Sequence, residues 1–276
     1  MDLEVVSENR SFGGVQSVYR HSSNACGCEM TFGAYLPPQA ATGPVPVLWY
    51  LSGLTCTHEN AMTKGGLQEH AARHGLALIF PDTSPRGDAV ADDEAYDLGK
   101  GAGFYVNATQ SPWSSHYRMH DYIVNELREA VVSNLPVQDR HGITGHSMGG
   151  HGAMTIAMRN AELYESLSAF APISHPTRSD WGRKQLSAYL GSDESTWAEH
   201  DATLLVEEHG WKGDILIDQG ASDQFLDLLK PEELAAAMTR RRQPGQIRMQ
   251  PGYDHSYFFV STFAGDHVAW HAERLN

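Results

Sequence analysis

The stretch "ITGHSMGGHGA", Ile143 to Ala153, sets four glycines around one serine, Ser147, with His146 and His151 on either side. So many glycines favour neither a helix nor a strand. A phosphate loop of the form G-x-x-x-x-G-K-[ST] is excluded because no lysine follows, and the spacing is wrong for the dinucleotide fingerprint G-x-G-x-x-G. What fits is G-x-S-x-G, from Gly145 to Gly149, the mark of a sharp strand-to-helix turn that presents a serine hydroxyl. A serine in such strained backbone leaves no room for side chains two residues away on either side. That assigns Gly145 and Gly149, while Gly150 and Gly152 are expected to let the following helix pack closely. The helix N-terminus would add N–H groups and a positive dipole end where an oxyanion forms. On the motif alone, a glycine-rich turn with an incidental serine is the alternative.

The flanking sequence supplies the context the motif needs. "DRHGITGH" before it is a modest strand candidate and "AMTIAMRN" after it a fair helix. "MTFGAYLPP" alternates Met30, Phe32, Ala34 and Leu36 inward, an antiparallel strand closed by Pro37 and Pro38. "VPVLWYLSG" and "LALIFPD" are near-continuous apolar runs, as in strands buried on both faces, and "LSAFAPIS" and "DILIDQG" are shorter ones. Helices are predicted from Met62 to His74 with Gly75 as C-cap, across "YRMHDYIVNELREAVVSNL", across "PEELAAAMTRRR", and at the end over "FFVSTFAGDHVAWHAERL". "QIRMQPGY" gives a last strand. Thr83 to Asn107 is rich in Gly, Asp and Ala, a long loop expected over one sheet edge and of a length that is often functional. Strands alternating with helices predict a mostly parallel central sheet covered on both faces by helices. With no internal repeat or linker, residues 1–276 read as a single domain.

A serine nucleophile needs a base and a group that orients it, and in α/β-hydrolases these follow in the order acid, then histidine. "DILIDQGASDQFL" offers Asp218 inside the strand, Asp223 just past it, and Asp227 about one helical turn later. Chemistry in such sheets gathers at the carboxyl ends of strands, which favours Asp223. Among 15 histidines, His255 in "MQPGYDHSYFF" falls in the loop between the last strand and the last helix. His146 and His151 adjoin the serine, but neighbours on a sharp turn point different ways, so they read as lining or packing groups. His267 and His271 are four apart on the last helix without a third ligand, which indicates surface or packing roles and no metal site. The oxyanion donors are expected to be the backbone N–H of Met148 and of Leu54, the latter in "YLSGLTCTHEN", where Gly53 allows close backbone approach.

Composition narrows the partners. A formal charge of −14 disfavours nucleic acid and anionic membrane surfaces. No run approaches the ~18–20 apolar residues of a membrane span, and "MDLEVVSENR" lacks a basic region followed by an apolar run. Three cysteines form no disulfide framework. A cytoplasmic protein is expected.

With these residues assembled, the chain resembles the S-formylglutathione hydrolase family, also called esterase D. The resemblance runs nearly the whole length, through "LSGLTCTHEN", "PDTSPRG", "GAGFYVNAT", "GHSMGGHGAM", "SAFAPIS", "ILIDQGASDQFL" and "GYDHSYFF". It implies an α/β-hydrolase fold, a serine thioesterase without cofactor, the triad Ser147, Asp223 and His255, and the oxyanion donors Leu54 and Met148. It implies a glutathione thioester as substrate, side activity on short-chain esters, and a homodimer, as is common in the family. The rival reading with the same triad is a broad short-chain carboxylesterase. A binding protein on a retired hydrolase fold is a further rival, and an acyltransferase a third that no sequence feature selects. Glutathione carries two carboxylates, for which Lys64 and Lys184 are candidates, each with a solvated surface charge as its alternative. Cys56 is either a small buried residue or a thiol whose alkylation blocks the site, and Trp181 either core or pocket wall. Four positions depart from the family pattern: His58, Arg128, His175 and Asp180. The last two lie where they would affect affinity for the glutathione arm.

Overall fold

The computed structural model describes residues 2–276, and one nine-stranded sheet organises it. Strands β1 (Glu4–Ser11), β2 (Gly14–Ser23) and β3 (Cys28–Leu36) form an antiparallel meander. Next come β4 (Val45–Leu51), α1 (His58–Lys64), α2 (Leu67–His74) and β5 (Ala77–Pro81). A continuous helical run follows, made of α3 (Met119–Asp121), a π-helical stretch (Tyr122–Leu127) and α4 (Arg128–Asn134). Then come β6 (Val137–Gly145), α5 (Met148–Arg159), β7 (Ser166–Phe170), α6 (Asp180–Leu190) and α7 (Ala202–Glu208). The chain ends through β8 (Ile215–Gly220), α8 (Leu226–Leu229), α9 (Pro231–Arg241), β9 (Gly245–Gln250) and α10 (Tyr257–Leu275).

The strand order is β1-β2-β3-β5-β4-β6-β7-β8-β9. β3 meets β5 antiparallel, and every neighbouring pair from β5 to β9 is parallel. All of β4 is buried, which is why it reads as an unbroken apolar run rather than an alternating one. Helices α1, α2 and α10 pack together against the sheet, and α5 packs with α7 and, through it, α9. This is the mostly parallel, helix-covered α/β-hydrolase architecture expected from the sequence.

Three expectations change. β1 and β2 were not anticipated, because β1 is exposed and carries no apolar alternation. The overlooked signal is Phe12-Gly13, both at positive φ (46° and 79°), which closes the hairpin between Ser11 and Gly14. The helix over 62–74 is two helices, broken at Gly65-Gly66 where Gly66 has φ 69°; Gly75 at φ 70° does cap the second. The long loop crosses the carboxyl ends of the strands rather than a sheet edge. Its Tyr105 Oη donates to Ser52 O at 2.8 Å, just past β4, and its Gly101 O accepts the Thr55 N–H at 2.9 Å.

The apolar row Met119, Ile123, Leu127 and Val131 is fully buried. A strict four-residue spacing exceeds the 3.6 residues of an α-helical turn, and the wider π winding helps hold this row on one face.

The glycines around Ser147 are fixed by backbone crowding. A Cβ on Gly149 would lie 1.9 Å from Leu51 O, and one on Gly145 would lie 2.2 Å from Gly149 O. The obstacle at Gly149 is therefore the end of β4, not a side chain at 145. Gly150 backs onto Pro172 and Gly152 onto the Tyr105 ring, so both serve close packing of α5. Gly149→Ala is expected to cost about 1–3 kcal/mol or more in a urea melt. Gly43→Ala, with nothing within 4 Å of its Cβ, should stay near neutral. Equal melts for the two variants would show that this crowding is not a constraint.

Candidate active site

Ser147 joins β6 to α5 with φ 58° and ψ −119°, a conformation that a non-glycine residue holds only at a cost of about 1–3 kcal/mol. It is kept there by both sides of the turn. Its N–H donates to Phe170 O at 2.9 Å, and its carbonyl accepts from His151 N–H at 3.0 Å and Ile173 N–H at 3.3 Å. The hydroxyl has no hydrogen-bond partner among the described residues and faces a cleft of about 270 Å³. The N–H groups of Met148 and Leu54 are likewise without an acceptor among the described residues, although both neighbours of Leu54 in the loop are tied down.

Two further loops close on the cleft. Past β8, Asp223 is buried, with Oδ1 accepting the Phe225 N–H at 2.7 Å and Oδ2 accepting Gln219 Nε2 at 3.0 Å. Past β9, His255 places Nδ1 2.6 Å from Asp223 Oδ2. A carboxylate on Nδ1 fixes the proton there and leaves Nε2 as the free acceptor. The two loops are joined by Ser222 N–H donating to Tyr253 O at 2.9 Å. Gly220 makes that approach possible, since a Cβ there would lie 2.5 Å from Tyr253 O. Asp254 accepts from Ser256 N–H and Oγ, and Ser256 caps α10, which anchors the far side of His255. Ser147 and His255 line the same cleft without a direct hydrogen bond, as is common before substrate draws a nucleophile and its base together.

The Gly53–Cys56 loop is held from behind. Cys56 O accepts from Thr83 Oγ1 and from Arg86 Nη2 at 3.0 Å, and Arg86 in turn forms a bidentate pair with Asp82. Thr55 sits at φ 65°, so the loop stores strain between these ties. Thr57 then starts α1 with a capping box to Asn60. A Cβ on Gly53 would lie 3.1 Å from Ser147 Cβ. The sequence-predicted glycine thus sits where the loop passes closest to the serine.

The comparisons with known proteins follow the same geometry. Residues 23–275 match the Esterase family, described as "Putative esterase". The chain is 68% identical over 273 residues to the S-formylglutathione hydrolase of Paracoccus denitrificans (strain Pd 1222), covering 99% of this chain and 98% of that one. The chain belongs to the S-formylglutathione hydrolase family. It is 51% identical to the mouse (Mus musculus) S-formylglutathione hydrolase over the whole of both chains. The solved structure of an S-formylglutathione hydrolase from Agrobacterium tumefaciens matches with TM-score 0.97 at 48% identity, over 99% of each chain. At 21% identity, the Staphylococcus aureus serine hydrolase FphF shares the fold, with TM-score 0.74 over 94% of this chain and 98% of that one.

Within this family site the remaining predicted residues divide. His146, Cys56 and Trp181 line the cleft; Lys64 does not, being exposed at the end of α1. Lys184 Nζ is 2.6 Å from Asp97 Oδ1, so its charge is already matched. Among the described residues no Lys or Arg lines the cleft, whose wall is largely aromatic and apolar. Trp181 is half-buried against Phe225 rather than a core residue. His146 packs its ring 4.5 Å from that of His255, and burial first, then the His255 charge, hold it well below its ordinary pKa. Burial likewise raises the Cys56 thiol. His175 is buried against Asp201 Oδ2 at 2.8 Å and Asp180 is exposed in the first turn of α6; neither lines the cleft. Phe225, Tyr96, Ser256 and Tyr257 were missed. Phe225 and Tyr257 stand two residues past Asp223 and His255, a spacing that could have flagged them.

Of the rejected groups, Asp218, His267 and His271 have structural partners. Asp227 is exposed on α8. Asp218 is buried under Arg248, His267 and Gln250. Burial opposes its ionisation, but those hydrogen bonds prevail and hold its carboxyl down at about 2. His267 and His271 run inward from α10 to Ser168 and Ser166, entirely buried.

On the other side of the sheet, burial holds His151 and His120 down to about 4 and His200 to about 3; the Arg159 charge adds to the last two. The unfolded chain takes up protons near pH 6.5 that these native imidazoles refuse. Stability is therefore expected to fall as pH drops below about 6.5, before most carboxylates titrate. Thermal melts at pH 7.5 and 5.0 read this directly. A Tm that is unchanged or higher at pH 5.0 would contradict neutral burial of these histidines.

Proposed function

We propose that this chain is a cytoplasmic serine thioesterase that hydrolyses S-formylglutathione to glutathione and formate, within a single α/β-hydrolase domain and without a cofactor. The observation that carries the chemistry is the free, strained Ser147 hydroxyl sharing a cleft with His255, which is hydrogen-bonded to buried Asp223. The full-length likeness to the Paracoccus denitrificans enzyme supports the substrate.

In this reading His255 Nε2 takes the Ser147 proton as Oγ bonds to the formyl carbon. The oxyanion is met by the N–H groups of Leu54 and Met148, already free and pointed by fixed backbone. Asp223 stays ionised and steadies the imidazolium. The tetrahedral adduct collapses by breaking the C–S bond, and His255 returns its proton to the departing sulfur. Water then gives a proton to His255 and its oxygen to the formyl-serine; formate leaves and Ser147 regains its proton. The aromatic wall suits a small acyl group, and longer chains would overpack it at about 1–3 kcal/mol. Among the described residues no Lys or Arg lines the cleft, so this reading assigns glutathione's carboxylates no partner within it. Side activity on short-chain esters follows from the same residues, and a homodimer is consistent with the family.

Comparison of kcat/KM for S-formylglutathione and p-nitrophenyl acetate tests the substrate. The thioester should win; an ester that equals or exceeds it would favour a broad carboxylesterase. Ser147→Ala should remove on the order of 10⁴–10⁶ of kcat for both. Gly53→Ala should lower kcat roughly 10²-fold with KM little changed, because it displaces the oxyanion loop from the serine. A Gly53→Ala variant altered in KM alone would place that loop in binding instead.

A further inference from the structure

Asp97 lies in the long loop, buried, and takes no part in the chemistry above. All its side-chain partners are donors from one face of α6: Trp181 Nε1 at 2.9 Å, Lys184 Nζ at 2.6 Å and Gln185 Nε2 at 2.9 Å. A carboxylate accepts only, so its two oxygens can take all three donors, while Gln185 Oε1 keeps no partner among the described residues. Burial opposes its charge, but Lys184 and Trp181 outweigh that and hold the carboxyl below its ordinary value. We propose that Asp97 is a positioning residue that sets the width of the cleft by fixing the Trp181 indole, and so helps select the acyl group. This rests on the hydrolase reading of the same cleft.

The contacts run from Asp97 to the reacting groups in two directions. On one side, Trp181 stacks on Phe225 with centroids 6.2 Å apart and planes at 19°. Phe225 presents its ring to His255 edge-on at 5.1 Å, and its N–H holds Asp223. On the other side, the five residues after Asp97 reach the oxyanion loop. Tyr189 Oη of α6 accepts the Gly99 N–H at 2.9 Å and donates to Ala102 O at 2.7 Å. Gly101 O accepts the Thr55 N–H at 2.9 Å, and a Cβ on Gly101 would lie 3.1 Å from Thr55 Cα. Residues 97–102 therefore form a strut between the Trp181 wall and the loop carrying Leu54. Tyr96, beside Asp97, lines the cleft with much of its ring exposed. An indole N–H bonded to a buried carboxylate has little freedom to swing, so the wall it forms is stiff.

The test is the ratio of kcat/KM for p-nitrophenyl hexanoate over p-nitrophenyl acetate, in wild type, Asp97→Ala, Trp181→Phe and the double variant. Asp97→Ala should raise this ratio roughly tenfold, the discrimination that a methylene-sized change in an apolar pocket gives. If Asp97 acts through the indole, its substitution should add nothing in the Trp181→Phe background. A uniform loss on both esters would make Asp97 a folding residue only, and independent effects in the double variant would also overturn the proposal. Should Asp97→Ala fail to fold, Asp97→Asn keeps the volume and reads the same ratio. Wild-type protein that hydrolyses neither these esters nor S-formylglutathione would instead defeat the hydrolase reading itself, with Ser147→Ala as the blank, whereas activity on S-formylglutathione with none on either ester would overturn the acyl-selection role given to Asp97.

Discussion

The backbone of α5 runs against the last residue of β4 with no room for a methyl group, and the rest of the site depends on that approach. Gly149 meets Leu51 O and C, and Gly145 meets Gly149. Ser147 is forced into φ 58° by this packing and then held by Phe170 and Ile173 on its other side. Because Leu51 ends β4 and Leu54 follows three residues later, the same contact sets the loop carrying Leu54 against the serine. Two amide donors and a hydroxyl come into register through backbone alone, at positions where side-chain substitution has little leverage. Polar loops elsewhere then need only bring His255 and Asp223 to the same point.

That second requirement is met by pairing rather than by rigidity of the strands. Asp223 has its acceptor capacity used by Phe225, Gln219 and His255, so it is a satisfied buried acid. Asp218, five residues earlier, is satisfied by a different set behind the sheet. Two buried aspartates on one strand and its loop thus serve opposite faces, one toward the cleft and one toward α10. The buried chain Asp218, His267, Ser168, His271 and Ser166 stitches β7 and β8 to α10 beneath the site. It resembles a triad in composition but lies wholly buried, away from the cleft.

Much of this was legible in the sequence, for physical reasons that differ by element. β4 and β5 announced themselves because strands buried on both faces are apolar throughout. The Ser147 turn was legible because steric exclusion leaves a glycine signature that few alternatives share. Asp223 and His255 were reachable from chain order and from their place just past strand ends. β1 escaped because an exposed edge strand needs no apolar face, and only its Phe12-Gly13 turn betrayed it. The break between α1 and α2 escaped because two glycines within an apolar helical pattern look tolerable until tertiary packing takes them to positive φ. The pairing of Lys184 was not legible because its partner, Asp97, is 87 residues away in sequence and no local pattern records such a pair. Trp181 was ambiguous because an aromatic residue is equally at home in a core and along a cleft, and Phe225 was missed altogether.

The central claim is that backbone crowding makes Ser147 the reactive hydroxyl and that Asp223 and His255 activate it. Its most direct test is labelling of the folded protein with a fluorophosphonate, followed by peptide mass mapping. A single adduct is predicted, on the peptide carrying Ser147, with labelling strongly slowed in Asp223→Asn. An adduct on another residue, or unchanged labelling of Ser147→Ala, would contradict it.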